Sequence, residues 1–228
     1  MPFKTPGITS EYIRKLLQMR PAEPWEERIL RFADEHMIAV LLPETAAFLR
    51  QTVLLQRPQR ILEIGTAIGY SGMLMLKAAP QSQLYSVELD EERISTAKRF
   101  FADEKLLSRV VFYCGDASVV VPNLSGAFDF ILLDGPKAQY VEYLPFLSRL
   151  LQPNGILFCD NVLYDGMVSG EKEIKNHKGG LVGKLDLFLH KLMADNTLLS
   201  SILPVGDGVS LSIKRGAKHD SEEKAACN

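Results

Sequence analysis

The chain has 228 residues, 46% of them hydrophobic and 24% charged, which suits one large α/β domain with a buried core. A formal net charge of −2 excludes a global basic field that would recruit a polyanion, and no apolar run approaches the roughly 18 residues of a membrane span. The opening MPFKTPG lacks an apolar secretion core, and the three cysteines and four histidines show no disulfide or metal spacing, so a reducing cytoplasm is expected.

Taken in chain order, EYIRKLLQMR predicts a helix that Pro21 and Pro24 break. WEERILRFADEHM and ETAAFLRQTVLLQ then carry apolar residues at helical spacing, so residues 1–57 read as a helical cap. After Arg57-Pro58 the pattern becomes strand, turn, helix, repeated. RILEIG, QLYSVELD, RVVFYCGDA, FDFILLDG and GILFCDNV are the strands. YSGMLMLKAA, EERISTAKRFFADEKL, AQYVEYLPFLSRLL and GKLDLFLHKLMADN are the helices. SSILPV and VSLSIKR, joined by Gly206-Asp207-Gly208, form a terminal hairpin. The fold expected is therefore α/β: a seven-stranded, mostly parallel sheet with a C-terminal antiparallel hairpin and helices on both faces. Residues 1–216 form a single domain with its core at 58–216, and the polar segment 217–228 reads as a disordered tail.

Acids stand at or near the ends of the five parallel strands: Glu63, Glu88, Asp116, Asp134 and Asp160. In an open α/β sheet those ends share one crevice, where ligands bind. Asp134, Asp160 and the adjoining Asn161 make a hard, oxygen-only set that suits Mg²⁺ or another divalent cation. Lys137 adds a candidate base. At the other side of the crevice, the glycines at 65, 69 and 72 open a helix whose N-terminus presents free N–H groups. Ala67 stands where a dinucleotide fingerprint wants its second glycine, which makes a Rossmann dehydrogenase the lesser reading. Glu88 ends the second strand, where an acid can hold ribose hydroxyls, and Asp116 ends the third at a height suited to an adenine edge.

LEIGTAIGYS, YSVELDEER, GDA, FDFILLDGPKAQY, GILFCDNVL and LPVGDGVSLSIK, in this order and spacing, resemble the cation-dependent class I O-methyltransferases that use S-adenosylmethionine, the family of catechol and caffeoyl-CoA O-methyltransferases. The resemblance runs from about Pro43 to Arg215 and implies a Rossmann-like methyltransferase fold. It implies that Glu63, Gly65, Tyr70 and Ser71 line the methionine part of the cofactor. Glu88 would bind the ribose, and Asp116 with Ala117 the adenine side. Asp134, Asp160 and Asn161 would ligate Mg²⁺, with Asp134 shared between metal and cofactor, and Lys137 would be the base. Transfer from a sulfonium is an in-line displacement, so alignment of oxygen and methyl carbon supplies much of the catalysis. A lysine base must shed its proton, which a nearby metal and sulfonium both favour. Lys137 as a mere partner of a carboxylate stands beside that reading.

Within the family, ILEIGTAIGYSG and the short N-terminal region look most like the bacterial tRNA 5-hydroxyuridine methyltransferases, which implies tRNA as acceptor. Lys172, Lys175, Lys178 and Lys184, together with Arg14, Lys15, Arg20, Arg28 and Arg31, offer phosphate contacts. Against that, Glu171 and Glu173 sit among the lysines, as on an ordinary solvated face. A small catechol is the alternative acceptor, and a non-catalytic cofactor-binding protein is a third reading. The resemblance also implies a homodimer.

Overall fold

The computed structural model describes residues 10–174 and 178–216, so Lys175 and the segment 217–228 lie outside the described residues. Helices α1 (Ser10–Gln18), α2 (Pro24–Glu35) and α3 (Pro43–Gln56) come first. α2 and α3 each open on a proline, whose missing N–H is one that a helix start leaves unpaired anyway. The alternating part follows as β1 (Arg60–Ile64), α4 (Tyr70–Ala78), β2 (Gln83–Glu88), α5 (Glu91–Asp103), β3 (Val110–Cys114), α6 (Ala117–Asn123), β4 (Phe128–Leu133), α7 (Tyr140–Leu150) and β5 (Leu151–Cys159). Then come α8 (Gly179–Ala194), β6 (Leu198–Leu203) and β7 (Val209–Lys214).

One element departs from the expected set. Helix α6 was not legible, because ASVVVPN holds three β-branched valines and a proline, all weak helix formers. It forms nonetheless, because the Asp116 side chain caps it by accepting from the Ser118 N–H at 2.7 Å.

The sheet runs β3-β2-β1-β4-β5-β7-β6. The first five strands pair in parallel, and β7 lies antiparallel to both neighbours, as expected of the terminal hairpin. Strand order reverses between β1 and β4, which places a crevice outside their carboxyl ends. Side chains alternate between the two faces. Ile61, Phe130, Leu132, Ile156 and Phe158 pack under α2 to α5, whereas Leu62, Ile64, Ile131, Leu133, Leu157 and Cys159 pack under α6 to α8. Both faces of the central strands are therefore dry, and each fully buried Leu, Ile or Phe adds about 1.5–3 kcal/mol of transfer free energy. Arg109 pins α4 to the sheet, donating to the carbonyls of Leu76, Ala79 and Ser82 at 2.7–3.2 Å. Among the described residues no helix is long and apolar enough to cross a membrane.

Candidate active site

The crevice holds a cavity of about 520 Å³. Its wall brings together Gly65, Glu88, Asp116, Ala117, Asp134, Lys137, Asp160 and Asn161, eight of the residues singled out in the sequence. The β1–α4 turn forms one side. Gly65 adopts φ +101°, and a Cβ there would meet the Asp134 carbonyl oxygen at 2.2 Å, so only glycine lets the turn lie against the end of β4. Glu88 accepts from the Ala67 N–H at 2.9 Å and from the N–H groups of Leu89 and Asp90 at 2.9 and 3.1 Å. Its carboxylate thus fixes the turn while facing the cavity.

The acidic side is built at the ends of β4 and β5. The Asp134 N–H donates to Ile64 O at 2.9 Å and the Asp160 N–H to Leu133 O at 3.1 Å, which extends the parallel ladder into the site. The buried Tyr140 hydroxyl lies 3.2 Å from Leu133 O and 3.3 Å from Asp160 O, bridging the two strand ends. Asn161 turns out of the sheet at φ 56°, and its N–H donates to Asp160 Oδ1 at 2.7 Å. Lys137 Nζ lies 3.7 Å from Asp134 Oδ1.

Burial pushes the Asp134 carboxyl up to about 6, against the pull of the Lys137 charge. Burial, then the charge of Asp134, pushes Asp160 up to about 7. These two carboxyls repel each other, and Lys137 stands against Asp134. The donor set of two carboxylates and an amide oxygen fits a hard divalent cation that keeps several waters. Among the described residues no group of three or more His, Cys, Asp and Glu side chains is arranged to hold a metal, so an enclosed all-protein cage is not what this site offers.

Glu63, Tyr70 and Ser71 are not on the cavity wall. Strand alternation turns Glu63 under α4, where it is fully buried and accepts from Ser71 and Ser86, each at 2.5 Å. Tyr70 is buried behind the turn and bonds Glu26. These three support the turn from below. Trp25 and Tyr164, aromatic residues near the site in sequence or fold, also stand off the wall. Trp25 packs against Tyr70, and Tyr164 lies beneath the Lys178 ammonium, 5.2 Å from its ring centroid.

Burial outweighs the two serine hydrogen bonds and pushes Glu63 up to about 7. A carboxyl raised in the folded state favours folding fully below its ordinary value of 4.5, and that contribution is lost as pH rises through about 7. Thermal unfolding of wild type should therefore lose about 3 kcal/mol more between pH 4 and pH 8 than unfolding of Glu63→Gln. Parallel pH profiles for the two proteins would refute a protonated Glu63.

Several wall residues carried no sequence signal. Ala39 and Val40, from the link between α2 and α3, close the cavity from above, and Arg93 of α5 reaches its rim. Asp207 stands just behind. In the β6–β7 turn its carboxylate accepts from the Asp165 N–H and from the Asn161 side chain, while its carbonyl accepts from the Leu163 N–H at 3.1 Å. Gly208 lets that turn approach, since a Cβ there would lie 2.8 Å from Leu163 N. The signal for Asp207 and Gly208 was the Gly-Asp-Gly motif, which reads only as a hairpin until the turn is seen against the loop that follows β5.

The family model described as O-methyltransferase matches residues 27–215. A catechol O-methyltransferase of Niastella koreensis is 30% identical over 177 residues, 75% of this chain and 80% of that protein. A caffeoyl-CoA O-methyltransferase of Stellaria longipes is 27% identical over 75% of this chain and 73% of its own length. The SAH-bound methyltransferase PaMTH1 of Podospora anserina superimposes with a TM-score of 0.79 at 26% identity, covering 95% of this chain and 98% of that one.

Proposed function

The chain belongs to the O-methyltransferase family, and from that premise we propose that its acceptor is a small catechol or related phenol. It is an S-adenosylmethionine-dependent O-methyltransferase. The observation that carries the finer reading is the meeting of Asp134, Asp160, Asn161 and Lys137 in the same cavity as Gly65, Glu88, Asp116 and Ala117. That arrangement supports a donor half and an acceptor half of one reaction lying side by side.

In this reading Glu88 and the Asp116–Ala117 turn hold the nucleoside of the methyl donor, and the N-terminus of α4 faces its methionine end. Asp134, Asp160 and Asn161 hold the cation, which when bound serves as template and Lewis acid for the acceptor hydroxyl. Lys137 takes the hydroxyl proton at Nζ as the oxygen becomes nucleophilic. Asp207 and Tyr140 keep Asn161 and the two strand ends in place. Walls of Ala39, Val40 and Pro136 exclude water from the transfer path.

A catechol is favoured over tRNA for two reasons. Relatives named for catechol and caffeoyl-CoA acceptors align over three-quarters of this chain. In addition, two of the lysines that would meet phosphates have local partners: Lys172 pairs with Asp165 at 2.5 Å and Lys178 covers the Tyr164 ring. Methyl transfer from labelled S-adenosylmethionine, with and without chelator, tests the reading. The assay compares a panel of catechols with tRNA bearing 5-hydroxyuridine at the wobble position. Chelator-sensitive labelling of catechols is the expected result. Labelling of the tRNA alone would overturn the catechol assignment and return the acceptor to the wobble base. In that case, charge reversal of Lys172 and Lys178 would be expected to weaken transfer to RNA.

A further inference from the structure

The family match begins at residue 27, yet the segment before it is wired into the cofactor turn. Glu26, in the first turn of α2, is buried. Its Oε1 accepts from the Tyr70 hydroxyl at 3.1 Å and its Oε2 from Arg20 Nη2 at 3.1 Å. Tyr70 is the first residue of α4, entered through Gly69 at φ 90°, so its position sets where the free N–H groups of that helix point. Arg20 lies just past the end of α1. A second tie runs from α1 itself: Arg14 Nε donates to both oxygens of the buried Glu44, at 2.8 and 3.1 Å. Glu44 stands at the start of α3, directly after the stretch that supplies Ala39 and Val40 to the cavity wall.

Each tie puts a buried carboxylate between the first helix and one wall of the cofactor site. Such a carboxylate cannot lose a partner cheaply, because it would be left uncompensated away from water. The seating of α1 and the geometry of the cofactor turn are therefore mechanically joined. We propose that Glu26 is a positioning residue that, through Tyr70, sets the cofactor turn in its binding geometry, and that Arg20 links this geometry to the docking of α1. The segment 10–26 thus acts as a latch on cofactor affinity. By reciprocity, cofactor binding holds the latch closed.

The inference rests on the turn being the cofactor site, as proposed above, and the test separates the two. S-adenosylhomocysteine is titrated calorimetrically into wild type, Glu26→Gln, Tyr70→Phe, their double variant, Arg20→Met and Glu88→Ala. Glu26→Gln and Tyr70→Phe should each weaken binding about tenfold, and the double variant by no more than about twofold beyond either single one. Arg20 is half exposed, so Arg20→Met leaves the core intact and should still weaken binding about threefold. In steady state, Glu26→Gln should raise KM for S-adenosylmethionine while kcat stays within about twofold. S-adenosylhomocysteine should also slow tryptic cleavage after Arg14 and Lys15 of α1 in wild type but not in Glu26→Gln. Wild-type affinity in Glu26→Gln, Tyr70→Phe and Arg20→Met, with Glu88→Ala weakened, overturns the latch. Wild-type affinity in Glu88→Ala overturns the cofactor site on which it rests.

Discussion

Asp160→Ala is expected to lower turnover about 10³-fold while the affinity for S-adenosylhomocysteine stays within about threefold of wild type. The separation follows from how the residue is held. Its backbone N–H and C=O belong to the strand-end framework, bonding Leu133 O and the Tyr140 hydroxyl, and alanine keeps both. What leaves is a carboxylate at 2% exposure whose Oδ1 accepts from the Asn161 N–H. The proposed cation site then loses one of two charged donors, and Asn161 loses the contact that orients its left-handed turn. The residues proposed for the methyl donor, Gly65, Glu88, Asp116 and Ala117, stand at the ends of β1, β2 and β3 and are untouched. Asp134 keeps its contact with Lys137, whose charge opposes the effect of burial on that carboxyl. Initial rates against added MgCl₂, together with Mn²⁺ binding followed by electron paramagnetic resonance, provide the readouts. Mn²⁺ affinity should fall at least about tenfold. Full turnover in this variant, or in wild type with excess chelator, would remove the metal from the mechanism.

The legible parts of this molecule are those whose cause is local. The helices at 24–35 and 43–56 announce themselves by helical spacing, and the parallel strands by short apolar runs closed by acids. Asp134, Asp160 and Asn161 were readable because strand ends of a parallel sheet must converge, whatever the details. Glu63 shows the limit of that rule. It lies one residue before the end of its strand, and alternation turns it away from the crevice into a serine-lined core. Asp116 shows another: the acid does face the cavity, but it also caps a helix that weak formers conceal. Tyr140, Glu26 and Asp207 act on Asp160, Tyr70 and Asn161, which lie 20, 44 and 46 residues away. No window along the chain contains both members of such a pair, so they became visible only in three dimensions.

Lys137→Met is expected to lower kcat by about 10² to 10⁴ at saturating donor and acceptor, the range typical of losing a positioned general base. The loss by itself does not identify the role, because Lys137 also faces Asp134 Oδ1 at 3.7 Å and its charge holds the Asp134 carboxyl below where burial would put it. Without that charge Asp134 rises further, so near pH 6 the variant would also lose metal affinity by protonation of a ligand. At higher pH this second effect shrinks, because pH 8 lies well above the value of about 6 that the Asp134 carboxyl has in wild type. Measurements therefore belong at pH 8, where Mn²⁺ affinity of the variant should match wild type within about threefold. Lys137→Arg then decides between the two readings. Arginine keeps a cation beside Asp134 but cannot give up a proton to become a base. If Lys137 removes the acceptor proton, the arginine variant should be as inactive as the methionine variant while binding metal normally. If Lys137 only neutralises Asp134, arginine should restore most of the turnover, and the base must be sought elsewhere.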